Sequence, residues 1–169
     1  FTTHLVRPLS PPEFSLLDDD GQVVKSYQRR IDFGEQMYGH GGSGEVQENV
    51  ALILFDPRRE EYPSESFGGL ELKGKIALYF QDSAPPGFDR EAFDRGAKGL
   101  LVISEDVQPQ AQLAFWRPEF QFLEPADNRA VITPEMADSL LAPDGVSVAS
   151  LQMRLEDMQT DWWLPTLTT

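Results

Sequence analysis

Two histidines, His4 and His40, and no cysteine stand in this 169-residue sequence, and that scarcity limits the chemistry it can support. A zinc hydrolase site needs several His, Asp or Glu ligands converging on one ion, with a position left open for water. One histidine near an end and one inside a glycine-rich loop make no H-E-x-x-H pair, and they leave no ordinary Ser-His-Asp triad. The lack of cysteine removes disulfides, thiolate zinc sites and a cysteine nucleophile together. Catalytic, cofactor-binding and metal-ligating residues are therefore expected to be absent from this chain.

Two motifs carry a superficial chemical signature. Gly39-His40-Gly41-Gly42-Ser43-Gly44 spells G-x-G-x-x-G. A dinucleotide site needs that loop to follow a strand and open a helix, so that the helix N-terminus meets the pyrophosphate. Here the loop runs instead toward the apolar stretch Val50–Phe55, and a flexible connection is the reading the spacing supports. Ser43 fails as a nucleophile elbow, because Glu45 stands where the second glycine of G-x-S-x-G belongs. Asp18-Asp19-Asp20-Gly21 resembles a calcium loop, but an EF-hand would place an acid at Leu16 and a bidentate Glu at Tyr27. Acid pairs such as Glu60-Glu61 are expected in a chain with 28 acidic and 14 basic residues, and they read as solvated surface.

The net charge of −14 repels phosphate backbones and anionic lipid, so nucleic-acid and membrane-surface roles are disfavoured. No apolar run approaches the roughly 20 residues that cross a bilayer, so no membrane insertion is expected. With 40% hydrophobic and 25% charged residues the sequence suits one soluble domain with a buried core. It opens on Phe1 without an initiator Met or signal peptide, and it closes just past Trp162-Trp163. It reads as a piece of a larger chain.

The elements that would position any site are legible in part. Phe14–Leu17 and Val23–Tyr27 flank an Asp-Gly turn and predict a hairpin. Asn49–Phe55, Lys75–Phe80 and Leu100–Ile103 are continuous apolar runs, expected as buried strands. Between the last two, Asp89–Arg95 predicts a helix with Phe88, Ala92 and Phe93 on one face and Asp89 and Glu91 in the dipole-favoured first turn. The result is one β-α-β crossover with parallel strands. Ala114–Phe122 is aromatic and strand-like, with Pro118 as a break. Ala130–Ile132 predicts a short strand running into a helix over 133–141, with Thr133 as N-cap and Pro134 as first helical residue. Val146 with Val148, and Leu151 with Met153 and Leu155, alternate with a phase slip that predicts bulged or paired strands. Trp162 and Trp163 cannot both point inward on a strand, so packing on a neighbouring domain is expected.

Three segments, in order, resemble the protease-associated domain. They are Leu72-Lys-Gly-Lys-Ile-Ala-Leu-Tyr-Phe80, Ala92-Phe-Asp-Arg-Gly-Ala-Lys-Gly-Leu-Leu-Val-Ile103 and Ala130-Val-Ile-Thr-Pro-Glu-Met-Ala-Asp-Ser-Leu-Leu141. The match covers about the middle two-thirds of the chain and is carried by the G-K-I and G-A-x-G pair. Gly74, Ala92, Gly96, Ala97 and Gly99 read as residues that let a turn form and a helix approach a sheet. Gln81–Gly87 lacks the Arg-Gly and Cys seen in many family members.

The resemblance implies an α+β fold, a β-rich open barrel or sandwich with two flanking helices, with one domain over 1–169 and its core at about 45–142. It implies a non-catalytic module that modulates substrate access or protein contacts for a larger peptidase. The parent resembled most is a zinc-dependent exopeptidase of the aminopeptidase and glutamate carboxypeptidase kind, with zinc held in the separate catalytic domain. The partners implied are that catalytic domain and a peptide or protein substrate, in an extracellular, periplasmic or cell-surface setting. A subtilisin-like serine protease is an alternative parent, and an independent peptide- or sugar-binding sorting module an alternative role. Exposed loops on a rigid frame usually carry recognition. The contact region is therefore expected in the loops 39–44, 81–87 and 108–118, with His40, Ser43, Gln81, Asp82 and Trp116 as candidate contact residues.

Overall fold

Asp18 shapes the first turn. Its carboxylate accepts hydrogen bonds from the backbone N–H groups of Asp20 (3.0 Å) and Gln22 (2.8 Å), while Gly21 takes φ of 75°. Side-chain bonds of this kind, in which an Asp bonds backbone a few residues on, favour turns. The turn joins β1 (Phe14–Leu17) to β2 (Val23–Tyr27) as an antiparallel pair with an irregularity between Leu16 and Leu17. The computed structural model describes residues 12–18, 20–35, 46–55, 71–107 and 128–160. The expected elements at 114–122 and the pair Trp162-Trp163 lie outside those residues.

A five-stranded sheet forms the centre, in the order β3-β7-β6-β5-β4. Its strands are β3 (Phe33–Glu35), β4 (Val50–Leu52), β5 (Ile76–Phe80), β6 (Gly99–Ile103) and β7 (Arg129–Ile132). β4 to β7 run parallel, and β3 lies antiparallel to β7. Every residue of β5 and β6 is buried, as continuous apolar runs flanked by strands on both sides require. Between them α1 (Phe88–Asp94) supplies the expected crossover, with Phe88 and Ala92 buried.

Side-chain alternation divides the core into two layers. Ile76, Leu78, Phe80, Leu101, Ile103 and Ile132 face α2 (Pro134–Leu141), α3 (Val148–Thr160) and the hairpin. Ala77, Tyr79, Leu100, Val102 and Val131 face α1, Phe55, Leu72 and Val107. The expected cap of α2 is present: the Thr133 hydroxyl accepts from the Met136 N–H at 3.2 Å, and Pro134 occupies the first turn. Gly74 and Gly96 take φ of 71° and 85°, and the Gly74 N–H donates to the Gly96 carbonyl at 2.9 Å. This backbone bond ties the turn before β5 to the end of α1.

The chain is thus α+β, with two sheets and three α-helices among the described residues, where two helices had been expected. The third helix is the correction. Val148 to Leu155, expected as bulged or paired strands, lie in α3. Val148 and Leu151 are 3% and 1% exposed while Met153 is 59% exposed, which is the three-to-four-residue spacing of a helix face rather than a strand alternation. Its start is fixed by Ser147 and Ser150, whose side chains cap each other's backbone N–H at 3.2 Å. Asp138 of α2 accepts from the Val148 N–H at 2.6 Å. Neither serine matches the S-x-x-E signature that marks such a start in sequence.

Candidate contact surface and the polar clasp beneath it

Gln81 and Asp82 follow β5 directly, in one turn of 3-10 helix over Gln81–Ser83, and both are exposed. They sit at the carboxyl end of the parallel strands, the edge at which open sheets of this kind usually bind ligands. Ser104–Asp106 leave β6 at the same edge and Thr133 leaves β7, while the antiparallel β3 begins there after Asp32. His40, Ser43 and Trp116 lie outside the described residues. The loop holding His40 and Ser43 leaves β3 after Glu35 and rejoins at Val46 ahead of β4, so both its anchors lie toward the amino end of the strands. Of the candidate contact residues, Gln81 and Asp82 fall among the described residues, as chain neighbours at the carboxyl edge.

The hydroxyls of the carboxyl edge are occupied by their own backbone. Ser83 Oγ donates to the Phe80 carbonyl at 3.3 Å, and Ser104 Oγ accepts from the Asp106 N–H at 3.3 Å. Asp32 likewise accepts from the Gln28 N–H at 2.7 Å. A serine hydroxyl turned back on its own backbone in this way shapes a turn. Among the described residues the edge offers carboxylates and backbone groups for hydrogen bonding to a peptide. Among the described residues no group of three or more His, Cys, Asp or Glu side chains could hold a metal ion, and no helix is long and apolar enough to cross a membrane.

One polar cluster escaped the sequence reading. Asp89, expected only as a first-turn acid, turns its carboxylate onto the sheet, where it accepts from the Tyr79 hydroxyl of β5 and from the Arg129 guanidinium of β7. Tyr79 is buried edge-on against Phe55 (6.3 Å between ring centres) and Phe88 (5.0 Å). Burial, assisted by the Asp89 hydrogen bond and charge, pushes its phenol far above the ordinary range, against the opposing pull of Arg129. At neutral pH Tyr79 is therefore a fixed donor. Arg129 leaves its Nε buried without a hydrogen-bond partner. The cluster clasps α1 to strands on either side of β6. The faint sequence signals were a tyrosine inside an apolar strand and an arginine opening another.

No family model, curated protein or solved structure matches the chain.

Proposed function

We propose that the chain is a non-catalytic module of the protease-associated kind, serving a larger peptidase. The parent is a zinc-dependent exopeptidase of the aminopeptidase and glutamate carboxypeptidase type. The observation that carries this reading is the course of the three family-like segments. Leu72–Phe80, Ala92–Ile103 and Ala130–Leu141 contain β5, the end of α1 with β6, and β7 with α2, a contiguous scaffold. Ala92 and Ala97 are buried at 0% and 7% exposure, where small side chains let α1 lie against β5 and β6. The small residues that make the resemblance thus act as packing residues, as a scaffold requires.

The mechanism is steric. The rigid sheet presents its carboxyl-edge turns, with Gln81 and Asp82, as a wall beside the substrate path, while zinc and the general base belong to the catalytic domain. The full reading frame around this segment tests the proposal. A His-x-Asp at a strand end with further Glu, Asp and His ligands downstream supports the peptidase. A membrane-spanning segment or a stop directly after Thr169 favours the sorting module and overturns the peptidase assignment.

A further inference from the structure

The hairpin of β1 and β2 forms a sheet of its own, separate from the five central strands. A two-stranded hairpin is marginal by itself in water, so its place depends on what it buries. Tyr27 is the one fully buried residue of β2, and the four before it, Val23, Val24, Lys25 and Ser26, are exposed. In β1 Phe14, Leu16 and Leu17 are half-buried and Ser15 is exposed. Every residue of β5 and β6, by contrast, is buried.

The hairpin meets the body through named side chains. The Phe14 ring lies 5.6 Å from that of Phe33, and Tyr27 joins the core layer of Phe33, Ile132 and Met136. The Lys25 ammonium donates to the Ser139 hydroxyl of α2 at 2.8 Å and sits 5.0 Å from the centre of the Tyr27 ring. The turn behind the hairpin, over 28–32, belongs to the central sheet. The Asp32 carboxylate accepts from the Gln28 N–H at 2.7 Å, and its carbonyl accepts from the Thr133 N–H at 2.8 Å. An anchored turn directly after Tyr27 lets the two strands move without disturbing β3.

We infer that the hairpin is a strap that opens as one unit from α2 and Phe33 while the central sheet stays folded, with Lys25 and Ser139 as its latch. Segments with little buried surface open cooperatively ahead of the core. The two strands pair from Phe14 with Tyr27 to Leu17 with Val23, so they leave together. Opening uncovers the Phe33 ring. Phe33 pairs with Ile132 at the end of β7, so the strap controls an apolar spot at the carboxyl edge, the edge that carries Gln81 and Asp82. The inference does not rest on the peptidase reading.

The test is native-state hydrogen exchange of the 169-residue chain, followed residue by residue by NMR at low urea concentrations. The cross-strand amides of β1 and β2 should share one opening constant, about a hundredfold or more above that of β5 and β6. That constant should rise with urea, because opening exposes Phe14 and Tyr27. Lys25→Met, which removes the latch, should raise it about threefold. Ala92→Gly, placed under α1, should raise the opening constant of β6 and leave that of the hairpin unchanged. Hairpin amides sharing the constant of β5 and β6, separate constants for β1 and β2, an unchanged hairpin constant in Lys25→Met, or an equal rise of both constants in Ala92→Gly would each overturn the inference.

Discussion

Asp89, in the first turn of α1, pairs through its carboxylate with the Arg129 guanidinium at the start of β7, 40 residues further along the chain. Because Tyr79 donates to the same carboxylate, one acid fastens a helix to two strands that are not themselves neighbours. Removing it leaves a phenol and a guanidinium half-desolvated. Asp89→Ala should cost about 2 kcal/mol, less than a fully buried pair because Asp89 is partly solvated. Tyr79→Phe alone should cost about 1 kcal/mol and almost nothing in the Asp89→Ala background, since the bond it removes is already gone. Urea unfolding of the two single variants and the double variant checks this; additive losses would show that the residues act independently.

The same tyrosine predicts a pH dependence. Its folded form keeps the proton above the pH at which an unfolded tyrosine, near 10, loses it. Above about pH 10 the unfolded state therefore binds fewer protons than the native state, and stability falls with rising pH by up to about 1.4 kcal/mol per unit. Below that the contribution is constant. The difference in unfolding free energy between the parent and Tyr79→Phe should shrink from about pH 9 to about pH 11. A constant difference would mean that burial does not hold the phenol neutral.

Gly34 lies under the Val107 carbonyl so closely that an added Cβ would stand 2.0 Å from the oxygen. This contact pins the chain leaving β6 against β3. Gly34→Ala should cost about 3 kcal/mol by forcing backbone apart, whereas Gly74→Ala, strained in φ but with nothing within 4 Å of the new atom, should cost about 1 kcal/mol. Thermal unfolding ranks the two; equal losses would contradict the close approach.

Much of this scaffold was legible because its local signals agreed with its surroundings. The Asp-Gly hairpin, the apolar strands β5 and β6, the crossover helix and the Thr133-Pro134 cap all follow from short-range chemistry. The start of α3 was not legible, because it depends on the Asp138 carboxylate reaching Val148 from another helix and on a reciprocal serine cap. The Tyr79–Asp89–Arg129 clasp depends on strand order, which puts β7 next to β6 and within reach of α1. Of the candidate contact residues, Gln81 and Asp82 fall where a loop reading places them, at the exposed end of a buried strand.

The helix over Val148–Thr160 gives a sharp mutational contrast. Leu151→Ala should cost about 3 kcal/mol, and Met153→Lys, at a side chain 59% exposed, should stay within about 0.5 kcal/mol. A strand with both residues on one face would make the two comparably sensitive. Chemical denaturation of the two variants distinguishes the cases.

We propose that this chain is a scaffold for a separate catalytic domain that holds the zinc. The most direct test is hydrolysis of aminoacyl-anilide and peptide substrates by the purified chain after loading with zinc and dialysis. The account predicts no turnover above buffer and no stoichiometric zinc retained. Hydrolysis accompanied by tightly bound zinc, and abolished when a chelator removes it, would contradict it.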